Sequence, residues 1–140
     1  MKSFEDKNNL EKKEPKMYAN TAYNTYAQNN VGVESPEKLI EMLYEGVLRF
    51  NAQMKKAVRD ENIEKRTYWS NRSIAIITEL INVLDMEKGQ ISQYLQALYQ
   101  YEIQLLVTAS IENRVDEIDE VSNVFKGLLE AWKASSNVAR

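Results

Sequence analysis

The stretch of sequence that decides the fold is S-P-E-K-L-I-E-M-L-Y-E-G-V-L-R-F, residues 35–50. Ser35 is suited to cap the N-terminus of a helix, and Pro36 is suited to the first helical position, where its missing N–H costs nothing. The acidic Glu37 favours the positive end of the helix dipole. A helix is therefore predicted to begin at Pro36.

Two apolar faces follow this start. The main stripe has spacings of three and four residues and consists of Leu39, Leu43, Val47, Phe50, Met54 and Ala57. A second stripe beside it consists of Ile40, Tyr44 and Leu48. A helix with one partner does not need both, so this helix is expected to lie between neighbours or to face another molecule. Gly46 indicates that a bulky group or another backbone comes close, or that a large neighbour such as Phe50 makes the glycine tolerable.

Similar patterns predict three more helices. The four are expected at about residues 36–59, 63–84, 90–111 and 114–134, the last opening near Asn113. Short polar turns between amphipathic helices of this length predict an all-α fold, an antiparallel up-down-up-down four-helix bundle over residues 35–135. The third helix is apolar or aromatic on nearly every face, which indicates either an interaction surface or tyrosines that are simply half buried at the helix surface. Its predicted core stripe is Ile91, Leu95, Leu98, Leu105 and Ala109.

The two ends of the chain differ from the bundle. Residues 1–16 are highly charged and are expected to form a disordered extension, and residues 136–140 a frayed tail. Residues 17–34 form an aromatic N-terminal arm or cap that carries Tyr18, Tyr23 and Tyr26. This arm either covers its own bundle permanently or occupies a groove until a partner displaces it.

Composition excludes several kinds of chemistry. The 140 residues carry a net charge of −3 and contain neither cysteine nor histidine, which removes thiolate, Ser-His and histidine-metal chemistry. We therefore predict no catalytic residues, no metal, no cofactor and no enzyme activity. The negative charge argues against nucleic acid as a partner, and no apolar run predicts membrane insertion. Several basic residues gather near the first turn and are either solvated or a site for an acidic partner: Lys55, Lys56, Arg59, Lys65, Arg66 and Arg72.

Several short motifs occur in a characteristic order. They are T-Y-A-Q at 25–28, the stretch at 35–50, L-D-M-E-K-G at 84–89, L-Y-Q-Y at 98–101 and L-L-E-A-W-K at 128–133. Together they resemble the family of flagellar export chaperones called FliS. The resemblance covers residues 18–134.

The resemblance implies a cytoplasmic chaperone that binds the disordered C-terminal segment of flagellin, prevents premature polymerisation and helps to deliver flagellin to the flagellar type III export gate. A component of that gate, and a co-chaperone, are further partners to consider. In this family the T-Y-A-Q stretch is associated with docking at the gate, which assigns that role to Tyr26. From spacing, the client-binding residues are predicted to be Ile74, Ile77, Ile81, Tyr94, Leu98 and Tyr101, with Tyr23 and Tyr26 on the arm.

An alternative function is a self-associating structural bundle without a flagellin client. It would use the same apolar faces to form a homodimer. Sedimentation separates the two hypotheses, because the chaperone is expected to be a monomer and the scaffold a tight dimer.

Overall fold

Four α-helices make up most of the computed structural model, which describes the backbone of residues 35–139 and the side chains of residues 35–136. In chain order they are α1 Pro36–Arg59, α2 Ile63–Asn82, α3 Gln90–Glu112 and α4 Asp116–Ala139. A short 3₁₀ helix, Met86–Lys88, lies between α2 and α3. Residues 35–139 contain no strand, and the predicted all-α fold is confirmed.

The first two helices begin at side-chain caps. The Ser35 hydroxyl accepts a hydrogen bond of 3.1 Å from the backbone N–H of Lys38, and Pro36 follows at the first helical position. The Asn62 side chain accepts a bond of 3.0 Å from the N–H of Lys65. Each cap satisfies a donor that the first helical turn leaves without a partner. These local bonds fix where the chain enters α1 and α2.

The end of α3 differs from the prediction. Asn113 does not open the last helix; it is the C-cap of α3, with φ of 55° in the left-handed region. Asparagine adopts that conformation more readily than most residues, which makes it an effective stop signal. The last helix begins at Asp116 and continues to Ala139, beyond the expected end near residue 134.

The helices pack in a ring. The extensive contacts are those of α1 with α2 and α4, and of α3 with α2 and α4, so α1 and α3 lie diagonally opposite each other. The fully buried apolar side chains at the centre include Val47, Met54, Ile77, Leu106, Ala109, Val121 and Phe125. A ring of four helices buries one arc of each helix, and side chains outside that arc remain at the surface.

Polar side chains also lie in the core. Asn51 of α1 is fully buried, accepts a hydrogen bond of 2.6 Å from the Ser73 hydroxyl of α2, and donates one of 3.1 Å to the Ser122 hydroxyl of α4. The hydroxyls of Tyr44 and Tyr99 share a bond of 2.7 Å across the diagonal. Burial raises the pKa of both tyrosines, so both hydroxyls stay protonated.

Gly46 marks a close approach of α2 to α1. A methyl group at this position would lie 2.7 Å from Cδ1 of Ile76, which is closer than van der Waals contact allows. Of the two explanations that the sequence offered, the close bulky group is confirmed, and the group belongs to α2. The missing side chain at Gly46 lets these helices pack against each other.

The buried Asn51 network gives a testable stability difference. Asn51→Leu leaves the hydroxyls of Ser73 and Ser122 without their buried partner, so we expect the free energy of unfolding to fall by about 1–3 kcal/mol. Adding Ser73→Ala and Ser122→Ala should recover part of that loss, because no polar group is then left unpaired. Urea denaturation measures both differences.

The control is Gln53→Leu, an exposed position two residues away, which should change the stability by less than about 0.5 kcal/mol. The interpretation is wrong if Asn51→Leu matches this control, or if the triple variant is less stable than the single one.

Candidate functional site

Among the described residues, α3 carries more large, exposed apolar side chains than any other helix. Tyr94 and Tyr101 expose 63% and 55% of their surface, and Ile91 and Ile111 are exposed as well. Large apolar side chains that remain in water typically mark interaction sites. The third helix is therefore the first candidate for a binding surface.

Five of its side chains follow one another at spacings of three and four residues and share one face. We call this face the α3 stripe; it consists of Ile91, Tyr94, Leu98, Tyr101 and Leu105. Leu98 lies one turn before Glu102, which faces α4, since its carboxyl lies close enough to Glu120 of α4 to be affected by that charge. The α3 stripe therefore runs along the α4 side of α3.

The three predicted isoleucines of α2 are separated by burial. Ile77 is 0% exposed and belongs to the core, so it offers no surface to a partner unless the bundle opens. Ile74 and Ile81 are half-buried. They lie on the opposite flank of α2 from Ile76, which contacts α1 at Gly46, and so they face the seam between α2 and α3.

The structure thus does not bring the predicted client-binding residues into one groove. The tyrosines and Leu98 lie on the α4 side of α3, whereas Ile74 and Ile81 lie on its α2 side. Tyr23 and Tyr26 fall outside the described residues. Spacing alone shows which residues share a face, and it does not show which neighbour that face meets.

An apolar cavity of about 420 Å³ lies at one end of the bundle. Its lining comes from the start of α1, the end of α2, the start of α3 and the end of α4, and includes Leu39, Ile40, Tyr44, Leu80, Leu84, Leu95, Tyr99 and Trp132. The Trp132 indole N–H donates a hydrogen bond of 2.9 Å to the carbonyl of Glu37. The sequence did not predict this cavity, although the second stripe on the first helix was its signal.

Glu102 is an unusual member of the α3–α4 seam. It is 1% exposed, and its Oε1 atom has no hydrogen-bond partner in the described part of the chain. Burial, and to a lesser extent the nearby Glu120, raises the pKa of the Glu102 carboxyl to about 7. Near neutral pH this carboxyl is therefore divided between its protonated and charged forms.

Other kinds of site find no support in the described residues. Within residues 35–139, no group of three or more histidine, cysteine, aspartate or glutamate side chains gathers in a way that could hold a metal ion. None of the described helices is long and apolar enough to cross a membrane.

Comparison with known proteins agrees with the motifs. The model of a family described as "Flagellar protein FliS" matches residues 18–139. The chain is 58% identical over 122 residues to the flagellar secretion chaperone FliS of Campylobacter jejuni, covering 86% of this chain and 95% of that protein. It is 33% identical over 127 residues to the FliS of Escherichia coli, covering 85% and 92%, and 31% identical over 111 residues to that of Bacillus subtilis, covering 79% and 83%.

The raised pKa of Glu102 predicts a pH-dependent stability. Its folded value of about 7 lies above the ordinary 4.5, so the native state holds more protons between these values, and the contribution of Glu102 to stability falls as the pH rises through this range. Between pH 4.5 and pH 8, the free energy of unfolding of Glu102→Gln should therefore rise relative to that of the wild type by on the order of 3 kcal/mol. Urea denaturation across this pH range measures the gain.

Glu120→Gln serves as a second variant that tests the cause. It should reduce the pH dependence without abolishing it, because burial is the larger cause of the shift. Parallel pH profiles for wild type and Glu102→Gln would show that the carboxyl is not perturbed.

Proposed function

The chain belongs to the FliS family of flagellar secretion chaperones, and on that premise we propose that it binds the disordered C-terminal segment of flagellin. Binding would prevent premature polymerisation and assist delivery of flagellin to the flagellar type III export gate. The proposed place of action is the cytoplasm, because a secretion chaperone meets its client before export. Tyr26 is the proposed contact with a component of the gate, and a co-chaperone is a further candidate partner.

The observation that carries this proposal is the exposed α3 stripe. A disordered client segment that folds into a helix on binding can lay its own apolar face against such a stripe. The client loses conformational entropy as it becomes ordered, so a large contact area yields only moderate affinity. Moderate affinity suits a chaperone that has to release its client.

The placement of the other predicted residues extends the proposed contact. Ile74 and Ile81 lie on the α2 side of α3, whereas Tyr94 and Tyr101 lie on its α4 side. A client that uses both sets has to cross α3 rather than lie in a single groove. We therefore propose that the flagellin segment wraps around α3, with Leu98 and Tyr101 near the centre of the contact.

The cavity suggests a role for the N-terminal arm. It lies beside Pro36 and Glu37, where the chain enters the bundle from residues 17–34. That arm carries Tyr23 and Tyr26, whose rings are apolar and of a size to enter such a cavity. We propose that the arm occupies this end of the bundle in the absence of client and is displaced when flagellin binds.

A second candidate function rests on the same exposed side chains. Two copies of the chain that join through their α3 stripes would form a structural homodimer without a client. Sedimentation at micromolar concentration separates the two: a monomer supports the chaperone, and a tight dimer that does not bind flagellin supports the scaffold.

Titration of a flagellin C-terminal peptide tests the α3 stripe. We expect Tyr101→Ala to weaken binding about tenfold or more, because a large aromatic side chain near the centre of a contact is worth at least about 1.4 kcal/mol. Isothermal titration calorimetry measures the affinity. Tyr68→Ala is the matched control, since Tyr68 is 52% exposed but lies on α2, and it should bind as wild type does. Equal affinity of the Tyr101→Ala and Tyr68→Ala variants would remove Tyr101 from the contact.

Deletion of residues 1–30 tests the arm. If the arm competes with the client, the shortened chain should bind the flagellin peptide as tightly as the full chain or more tightly. A full-length chain with Tyr23→Ala and Tyr26→Ala should behave in the same way, because it removes the rings but keeps the length. A large loss of affinity on deletion would show that the arm holds the client instead.

A further inference from the structure

Three aromatic side chains form a cluster on the outer face of α1 and α2. The ring centres of Phe50 and Trp69 are 5.4 Å apart, and those of Tyr68 and Trp69 are 4.9 Å apart in an edge-to-face arrangement. Phe50 was predicted to belong to the core stripe of the first helix, but it is only half-buried. Asn51 takes the core position, and Phe50 is turned outward onto α2.

Two arginines stack on this cluster. The guanidinium carbon of Arg49 lies 5.2 Å from the ring centre of Phe50, and that of Arg72 lies 5.0 Å from the same ring and 5.5 Å from the ring of Tyr68. Within residues 35–136, neither guanidinium makes a hydrogen bond or an ion pair. Stacking holds the planar groups in place while their N–H edges remain able to bind an acceptor.

Three other cations of the basic cluster behave differently. Lys55 pairs with Asp119 at 2.6 Å, and Lys56 pairs with Asp60 at 2.9 Å. Arg66 donates a hydrogen bond of 3.1 Å to the side-chain amide of the α3 cap. Lys55 and Arg66 therefore link different helices, and Lys56 pairs with the cap of its own helix, whereas within the described residues no hydrogen bond or ion pair holds the two stacked arginines.

A shallow cavity of about 400 Å³ adjoins the cluster. It is lined by Tyr68 and Trp69 together with Asn62, Glu64 and Lys65. Its lining therefore combines two aromatic rings with an ammonium and a carboxylate group. The space is sufficient for one bulky side chain of a peptide.

This surface points away from the α3 stripe. The cluster lies on the seam between α1 and α2, and α1 is diagonally opposite α3 in the ring. A client wrapped around α3 reaches Ile74 and Ile81 on the α3 flank of α2, and it would leave the α1–α2 seam, on the opposite flank of α2, accessible. A molecule bound at the seam would then contact a different part of the bundle.

We propose that the surface formed by Arg49, Phe50, Tyr68, Trp69 and Arg72 docks an acidic peptide segment of a second protein partner. Carboxylates of the segment pair with the two guanidinium groups, and one bulky apolar side chain enters the adjoining cavity. Two stacked arginines in a chain of net charge −3 match a short acidic segment. They do not provide the extended basic face that a nucleic acid requires. The surface therefore selects a protein partner.

The experiment uses the full chain and a synthetic peptide, Asp-Glu-Asp-Phe-Glu-Asp-Glu, with a neutral counterpart in which Asn and Gln replace the acids. The chain has two tryptophans, Trp69 in the cluster and Trp132 at the apolar cavity, so its indole N–H resonances in a nitrogen-proton correlation spectrum report on the two places separately. We expect the acidic peptide to shift the Trp69 signal and to leave the Trp132 signal in place. Binding should weaken with added salt.

Arg49→Ala combined with Arg72→Ala should weaken binding of the acidic peptide at least tenfold. Arg59 is an exposed arginine of the same helix as Arg49, and Arg59→Ala should not weaken binding. A far-UV circular dichroism spectrum checks that the double variant remains helical. The proposal is overturned if the neutral peptide binds equally well, if only the Trp132 signal shifts, if the double variant binds as the wild type does, or if no shift occurs at millimolar peptide.

A final titration adds the acidic peptide to the chain already saturated with the flagellin segment, and this step alone depends on the proposed function. Unchanged affinity supports a second partner on a separate surface. Displacement of either peptide by the other would show that the α1–α2 surface is part of the client contact, which overturns the proposal of a second partner and leaves flagellin binding intact.

Discussion

The hydrogen bond between the hydroxyls of Tyr44 and Tyr99 holds one face of α3 toward the core, and the proposed binding surface depends on that rotation of the helix. The bond crosses the bundle from α1 to α3 at 2.7 Å, and both rings pack on Phe125 of α4. Helix geometry at 3.6 residues per turn then turns Tyr94 and Tyr101 to the far side of α3 from Tyr99. Tyr99 is itself buried, and its position in the core therefore determines that Tyr94 and Tyr101 are exposed.

The sequence predicted the four helices because their signals are local. A serine cap followed by proline, and an apolar stripe at regular spacing, act within a single helix and require no knowledge of its neighbours. The core of α3 could not be predicted in the same way. Its buried residues are Ser92, Tyr99, Glu102, Leu106 and Ala109, and of these the predicted stripe contained only Ala109. Because α3 has apolar side chains on nearly every face, the spacing of its residues does not indicate which face is buried. Contacts with the other helices determine that face.

The candidate surfaces show the same division between local and distant information. The motifs identified the family, and the surplus of apolar side chains on α3 was visible in the sequence. The sequence did not show which neighbouring helix each face meets. Ile74 and Tyr101 lie on different sides of α3 because of the way α3 is rotated in the bundle, and residue spacing within a helix carries no information about that rotation. The end cavity joins four segments that are far apart in the chain, and the buried carboxyl of Glu102 has no sequence signal at all.

The contacts between α1 and α4 determine when, during its synthesis, the bundle can finish folding. Asn51 bonds to Ser122, Lys55 to Asp119 and the carbonyl of Glu37 to Trp132, across 71, 64 and 95 residues of chain. The ribosome releases α4 after the other three helices, so the first helix has to wait for its second neighbour, and the ring closes only once α4 has been synthesised. A nascent copy of this protein therefore cannot offer the proposed binding surfaces in their finished form before α4 has left the ribosome.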